Sequence, residues 1–87
     1  MSKTINIAYY EKKDYDYFLR IIDDRESMHD SWEEWHQAFL ILKNQLVSKG
    51  FPVKVVIVDL KELIDYCNNK KIKNDGKARS RFVADKK

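Results

Sequence analysis

The chain has 87 residues, of which 44% are hydrophobic and 36% are charged, and this length suits a single domain, residues 1–87, with one hydrophobic core. Its one cysteine, Cys67, excludes a disulfide within the chain, and no secretory signal pattern is present near the first residues. The longest aliphatic runs have about four residues, far fewer than the roughly 20 that span a bilayer. We therefore expect a cytoplasmic protein that has no contact with membranes.

The net charge of +3 is unevenly distributed along the chain. Residues 1–66 hold nine Lys/Arg and twelve Asp/Glu, whereas residues 67–87 hold eight and two. This difference defines a basic C-terminal segment, residues 70–87. Such a segment either binds phosphate-rich partners such as nucleic acid or forms a solvated helix face, and the charge count alone does not choose between them.

The first two elements differ in their hydrophobic period. Residues 4–9 alternate in the two-residue period of a half-buried strand, which predicts strand β1. From Asp14 onward the apolar residues follow helical spacing, namely Tyr15, Phe18, Leu19 and Ile22. This stripe predicts an amphipathic helix α1 over residues 14–24, with Asp14 as its N-cap.

Ser31 and Glu34 have the spacing of a capping box, in which each side chain satisfies a backbone N–H at the helix start. They predict helix α2 over residues 31–49, and Gly50 supplies its left-handed end. The apolar residues of this helix repeat at spacings of three and four: Trp32, Trp35, Phe39, Leu42 and Leu46. Because aromatic side chains bury large areas, this face is expected to form the centre of the core.

A β-branched run at residues 53–58 predicts strand β2 and suits a strand that is covered on both faces. Asp59 is the expected N-cap of the following helix α3, residues 60–70. Cys67 lies on the apolar stripe of this helix, which predicts a buried and inert thiol.

A turn and helix cap at residues 74–76 precede a short helix α4, residues 77–85. Ala78 and Phe82 lie one helical turn apart in it, so they are expected to dock on the core. The complete order β-α-α-β-α-α predicts an α/β fold, with α+β as the open alternative, in which about four helices pack on a two-stranded sheet. The long connection between the strands permits parallel pairing, and antiparallel pairing stays open.

The predicted core joins the aromatic face of α2 to apolar residues of the other elements, namely Phe18, Ile22, Val55, Ile57, Leu63 and Ile64. A two-stranded sheet is marginal by itself and leaves strand edges open. The helices also carry more aromatic surface than one small core readily covers. We therefore expect the chain to form a homodimer or to bind another protein.

His29, Glu33 and His36 would share one helical face if α2 began a turn earlier, and two imidazoles with a carboxylate are a known zinc set. The usual helical pair, however, places its histidines four residues apart, whereas these two are seven apart. We therefore treat them as surface polar residues and predict neither a metal nor another cofactor.

Residues 76–80, Gly-Lys-Ala-Arg-Ser, place cations and a hydroxyl at a predicted helix N-terminus, where free N–H groups attract anions. They do not form a Walker A loop, because Lys71 stands where its first glycine would be and Ala78 where Ser or Thr would bind magnesium. Contact with phosphate or a nucleic-acid backbone needs only the charge and the N–H groups. The candidate anion-binding residues are Lys73, Gly76, Lys77, Arg79, Ser80 and Arg81.

Catalytic patterns are not evident in the sequence. It contains no G-x-S-x-G motif, and neither histidine has a predictable contact with Cys67 or with a serine. The carboxylates crowd helix starts and exposed positions, where capping and solubility explain them. We name no catalytic residue and favour a function other than catalysis.

Several short strings resemble a known type of protein. Leu63-Ile64-Asp65-Tyr66-Cys67, the stretch from Asn74 to Ser80, Phe82-Val83 and the preceding Trp32-Glu33-Glu34-Trp35 look like parts of small bacterial domains of unknown function. The similarity covers residues 28–84 and implies a cytosolic bacterial domain, with no activity to transfer. The sequence thus favours a self-associating or partner-binding module. A weak, sequence-independent nucleic-acid or phosphate binder and an unrecognised enzyme are the alternatives.

Overall fold

The computed structural model describes residues 4–86, so Lys87 of the basic C-terminal segment lies outside the described residues. Within this range the chain forms two strands, four α-helices and a short 3-10 helix. In chain order these are β1 Ile5–Tyr9, α1 Lys12–Ile21, the 3-10 helix Arg25–Ser27, α2 Trp32–Ser48, β2 Val53–Ile57, α3 Leu60–Lys70 and α4 Gly76–Ala84. The predicted order and the α/β class are confirmed.

The two strands pair in parallel, with Ile5 opposite Val53 and Tyr9 opposite Ile57, which excludes the antiparallel alternative. The ladder extends beyond β2 at both ends. Ile5 N–H donates to Pro52 O at 2.8 Å, and Val58 N–H donates to Tyr9 O at 2.9 Å. Because backbone groups alternate in direction along a strand, every second residue of each strand turns its N–H and C=O toward an open edge.

Helices cover both faces of this sheet. On one face lies α2, where the Tyr9 ring packs edge-on against Trp35 and Phe39 with centroids 5.6 and 5.2 Å apart. On the other face, Asn6 Nδ2 donates to Val83 O of α4 at 2.8 Å. Just beyond β1, Tyr10 stacks on Phe18 of α1 at 4.1 Å and packs edge-on against Trp35 of α2 at 5.2 Å. The sheet is therefore the middle of three layers.

One face of β2 is less covered than the sequence predicted. Val55 and Ile57 are 38% and 61% exposed, and Leu42 is also exposed, so the expectation that both faces of β2 are covered was wrong. The buried residues of this segment are instead Val56 and Val58, which face the other helices. The remaining predicted core residues are buried, namely Phe18, Ile22, Trp35, Phe39 and Leu63, or half-buried, namely Trp32, Leu46 and Ile64.

Local capping signals located three helix starts correctly. The side chains of Ser31, Asp59 and Asp75 each accept a hydrogen bond from the backbone N–H three residues later, at 3.2, 3.1 and 2.9 Å. Gly50 has the expected positive φ of 88°. In α4, Ala78 and Phe82 are buried as predicted.

The predicted bounds of α1 were wrong at both ends. The helix begins at Lys12 after Glu11, whose side chain makes no cap, so Asp14 lies inside the first turn. It ends at Ile21 because Ile22 is extended and Asp23 N–H donates to Asn74 O at 2.8 Å. A contact with a distant segment, rather than a local signal, therefore ends this helix.

We expect Trp35→Ala to lower the free energy of unfolding by about 3–5 kcal/mol, because it removes a buried aromatic side chain that contacts several other rings. Urea denaturation followed by circular dichroism measures this. Ile41→Ala, at an exposed position of the same helix, is the matched control and should leave stability nearly unchanged. Equal stabilities of the two variants would show that the core is assigned wrongly.

Candidate functional site

Arg79 lies one helical turn after the cap residue Asp75, and its side chain is buried at 5% exposure. Its Nη1 and Nη2 donate to the two carboxylate oxygens of Asp24 at 2.9 and 2.7 Å. Nη1 also donates to the carbonyl and side-chain oxygens of Asn74 at 3.0 and 3.2 Å. The guanidinium lies 5.3 Å from the Phe18 ring centroid. These contacts fix α4 to the segment that follows α1.

Carboxylates of the chain itself occupy the start of α4. Asp24 Oδ2 accepts a hydrogen bond from Gly76 N–H at 3.2 Å, and the Asp75 side chain accepts one from Ala78 N–H. Arg79 hydrogen bonds, opposed by partial burial, hold the pKa of Asp24 below its ordinary value of 3.8. The helix N-terminus, where the sequence places an anion, thus already carries two negative charges.

The six candidate anion-binding residues do not lie together. Lys73, Lys77 and Arg81 surround a shallow depression of about 200 Å³, which Asp75 also lines. Gly76, Arg79 and Ser80 line a different cleft on the other side of α4. Only the first group forms an exposed cationic surface, which we call the α4 cationic surface.

The three side chains considered as metal ligands, His29, Glu33 and His36, lie in different surroundings. Glu33 pairs with Lys12 at 2.8 Å, and the His36 ring stacks on Trp32 with centroids 4.5 Å apart. The backbone carbonyl of His29 accepts a hydrogen bond from the Tyr15 hydroxyl at 2.7 Å. Among residues 4–86, no cluster of three or more His, Cys, Asp or Glu residues is arranged to hold a metal ion.

Two other titratable groups of the interior stay neutral. Burial raises the pKa of the Cys67 thiol, which therefore stays protonated near neutral pH. Burial also raises the pKa of Tyr10 to about 12, against the opposing effect of Arg79. Both side chains are therefore un-ionised near neutral pH.

Apolar side chains are exposed on β2 at Val55 and Ile57, just before it at Phe51, and on α2 at Leu40 and Val47. We call this set the β2-edge surface. Leu40 and Val47 lie two turns apart on one flank of α2, opposite the flank of Ala38 and Leu42. This surface was not predicted from the sequence, because Val55 and Ile57 were assigned to the core.

A cleft of about 340 Å³ runs along the other edge of the sheet. It is lined by Asn6, Ile7 and Ala8, whose side chains alternate between the two faces of β1. A cleft that is lined by side chains from both faces of β1 must follow an edge of that strand. Because β2 pairs with one edge of β1, the cleft follows the other edge. We call this feature the β1-edge cleft; nothing in the sequence pattern identified it.

Comparisons of the chain with protein-family models, with curated proteins and with solved structures found no match. Among the described residues, no helix is both long and apolar enough to cross a membrane. The resemblance to small bacterial domains therefore stays a prediction. A function can therefore be proposed only from the geometry of the two sheet edges and of α4.

We expect Asp24→Asn to lower the free energy of unfolding by about 1.5–3 kcal/mol at pH 7, because it leaves the buried Arg79 without its counter-ion. Arg79 holds the pKa of Asp24 below 3.8. The carboxylate therefore stabilises the fold fully above pH 3.8 and progressively less as pH falls through its folded-state pKa. Urea denaturation at several pH values should show the wild type and the variant converging in acid.

The exposed pair Arg25–Asp30 offers a matched control, because the Asp30 side chain is 86% exposed. Asp30→Asn should leave stability nearly unchanged at every pH, since exposed ion pairs contribute little. If Asp24→Asn and Asp30→Asn changed the free energy of unfolding equally, the ion pair between Arg79 and Asp24 would not hold α4 in place.

Proposed function

We propose that the chain is a cytoplasmic, non-catalytic module that forms a homodimer through the β2-edge surface. The observation that carries this proposal is the outer edge of β2, which is open and bears exposed β-branched side chains at Val55 and Ile57. Such an edge is a template for pairing with another strand. The proposed second copy covers it.

The backbone of β2 is suited to pairing with its own copy. Val58 N–H donates to Tyr9 O on the β1 side, so the alternation along the strand turns the N–H and C=O groups of Val53, Val55 and Ile57 outward. Antiparallel pairing about a twofold axis would place Val55 opposite Val55 of the second copy and Val53 opposite Ile57. Each of these pairs exchanges two hydrogen bonds.

The side chains around this edge fit the same arrangement. Val53, Val55 and Ile57 point to the α2 face, and Leu40 and Val47 flank them on α2. A second copy related by a twofold axis would bring its own α2 to this face, so apolar side chains of the two copies would meet across the axis. The dimer would then contain one four-stranded sheet with both α2 helices on one side.

Lys54, the charged residue of β2, does not obstruct this pairing. Its side chain points to the face opposite Val53 and Val55, because successive side chains of a strand alternate. In the proposed register it would lie opposite Val56 of the second copy, so the two Lys54 side chains would not face each other. Lys54 therefore brings no like charges together in this register.

We expect the wild-type chain to be dimeric at about 100 µM and Val55→Lys to be monomeric, because the variant places two like charges on the twofold axis. Sedimentation velocity gives both masses. Val55 is exposed in one copy, so the variant should keep its helical circular dichroism.

Ile72→Lys is the matched control, since Ile72 is similarly exposed but lies beside the α4 cationic surface. This variant should stay dimeric. A monomeric wild type at about 100 µM, or equal dissociation of both variants, would overturn the proposed dimer.

A second candidate function is sequence-independent contact with phosphates. Its support is the α4 cationic surface, where Lys73, Lys77 and Arg81 lie around one depression. Because carboxylates already fill the start of α4, such contact would depend on side-chain charge alone. Single-strand binders usually add exposed stacking aromatics, whereas Phe82 of this helix is buried.

If three phosphates are contacted, the logarithm of the DNA association constant should fall with the logarithm of salt concentration with a slope of about −2.7. Fluorescence anisotropy with duplex DNA, starting at about 50 mM salt, measures this slope. Lys77→Glu with Arg81→Glu should abolish binding, whereas Lys12→Glu, outside the α4 cationic surface, should not. No binding at the lowest salt would exclude this function.

A further inference from the structure

We propose that the β1-edge cleft binds an extended, uncharged peptide segment of another protein, which adds to the sheet as a third strand beside β1. This site is separate from the β2-edge surface, because the two lie at opposite edges of the sheet. The proposal therefore does not depend on the dimer.

The backbone of β1 supplies the hydrogen bonds. Ile5 N–H donates toward β2, and Tyr9 C=O accepts from it, so the N–H and C=O groups of Asn6 and Ala8 turn toward the cleft. The Asn6 side chain does not cover this edge, because its Nδ2 donates to Val83 O and Lys86 O at 2.8 and 2.9 Å. A peptide strand would pair with these backbone groups.

The two walls of the cleft differ in character. The α2 wall is large and apolar, with Trp35, Phe39 and Leu42. The α4 wall combines the small residues Gly76 and Ser80 with Val83 and the paired Arg79. The connection between α1 and α2 completes the lining with Ser27, Met28 and His29. Because side chains of a strand alternate between faces, a bound segment should carry large apolar residues toward α2 and small or hydroxyl-bearing residues toward α4.

The charge of the cleft favours an uncharged segment. Arg79 lines it, but the guanidinium is already paired with the Asp24 carboxylate. A carboxylate of the ligand would have to compete with Asp24, and a cation would be repelled by Arg79. Neutral side chains avoid both costs, and the backbone hydrogen bonds then provide the affinity.

A strand from a second copy does not fit this cleft. The cleft lies between α2 and α4, which cover opposite faces of the sheet. In this chain β1 carries helices on both faces, and β2 carries buried Val56 and Val58 under helices. A strand that brings its own helices would collide with α2 or α4. The occupant is therefore a segment without packed helices of its own.

The test is a selection from displayed random peptides of about nine residues against the full chain, followed by synthesis of the selected sequences. We expect alternating large apolar and small residues, dissociation constants in the micromolar range, and protection of the Asn6 and Ala8 amides from hydrogen exchange. N-methylation of the peptide amides that face β1 should abolish binding, whereas methylation of the other set should not.

Ala38→Trp should weaken binding at least about tenfold, because Ala38 lines the cleft and the larger ring fills it. Gln37→Trp, at the neighbouring exposed position, is the matched control and should bind normally. Val55→Lys should also bind normally, which separates this site from the dimer. Failure to select any peptide, equal binding by Ala38→Trp and Gln37→Trp, or protection confined to β2 would each overturn the proposal.

Discussion

A parallel sheet of two strands has no interior strand, so each strand has one edge without a partner. The other surface features of this chain follow from that constraint. Helices on both faces bury the side chains of the sheet, but they cannot satisfy backbone groups that point sideways. At β1 the helices α2 and α4 extend past the strand and form a cleft along its edge. On β2, Val55 and Ile57 remain exposed on the face that α2 covers only in part. The two edges therefore differ in what they can bind.

The hydrogen bonds between Arg79 and Asp24 help to position α4, which forms one wall of the β1-edge cleft. Asp24 receives hydrogen bonds from the guanidinium and from Gly76 N–H, and Asp23 receives one from Asn74 N–H at 2.6 Å. These bonds join the segment after α1 to the start of α4, while Asn6 holds its other end. Both ends of the α4 wall are thus fixed by hydrogen bonds to other elements. The same bonds turn Arg79 inward and leave Lys73, Lys77 and Arg81 on the outer side.

Features set by neighbouring residues could be predicted from the sequence, and features set by distant contacts could not. The caps at Ser31, Asp59 and Asp75 each depend on a bond that spans three residues. Ser31 and Asp59 were predicted as caps, and Asp75 lies within the turn and cap predicted at residues 74–76. The end of α1 depends on Asn74, and the ion pair of Arg79 spans 55 residues. One signal was present, because Arg79 shares a helical face with the buried Phe82 and Val83. A cation on an apolar face implies a buried partner, although its identity cannot be read from spacing.

If the chain pairs through β2 as proposed, the contrast between the two edges would also limit the size of the assembly. Pairing of β2 with β1 of the next copy would repeat without end and build a filament, since such head-to-tail contacts close only by a suitable rotation. In this chain α2 and α4 flank the β1 edge and exclude a helix-bearing strand from it. In the proposed dimer, each copy would use the edge of β2 alone. Pairing of that edge with itself about a twofold axis would occupy it in both copies, so association would stop at two copies.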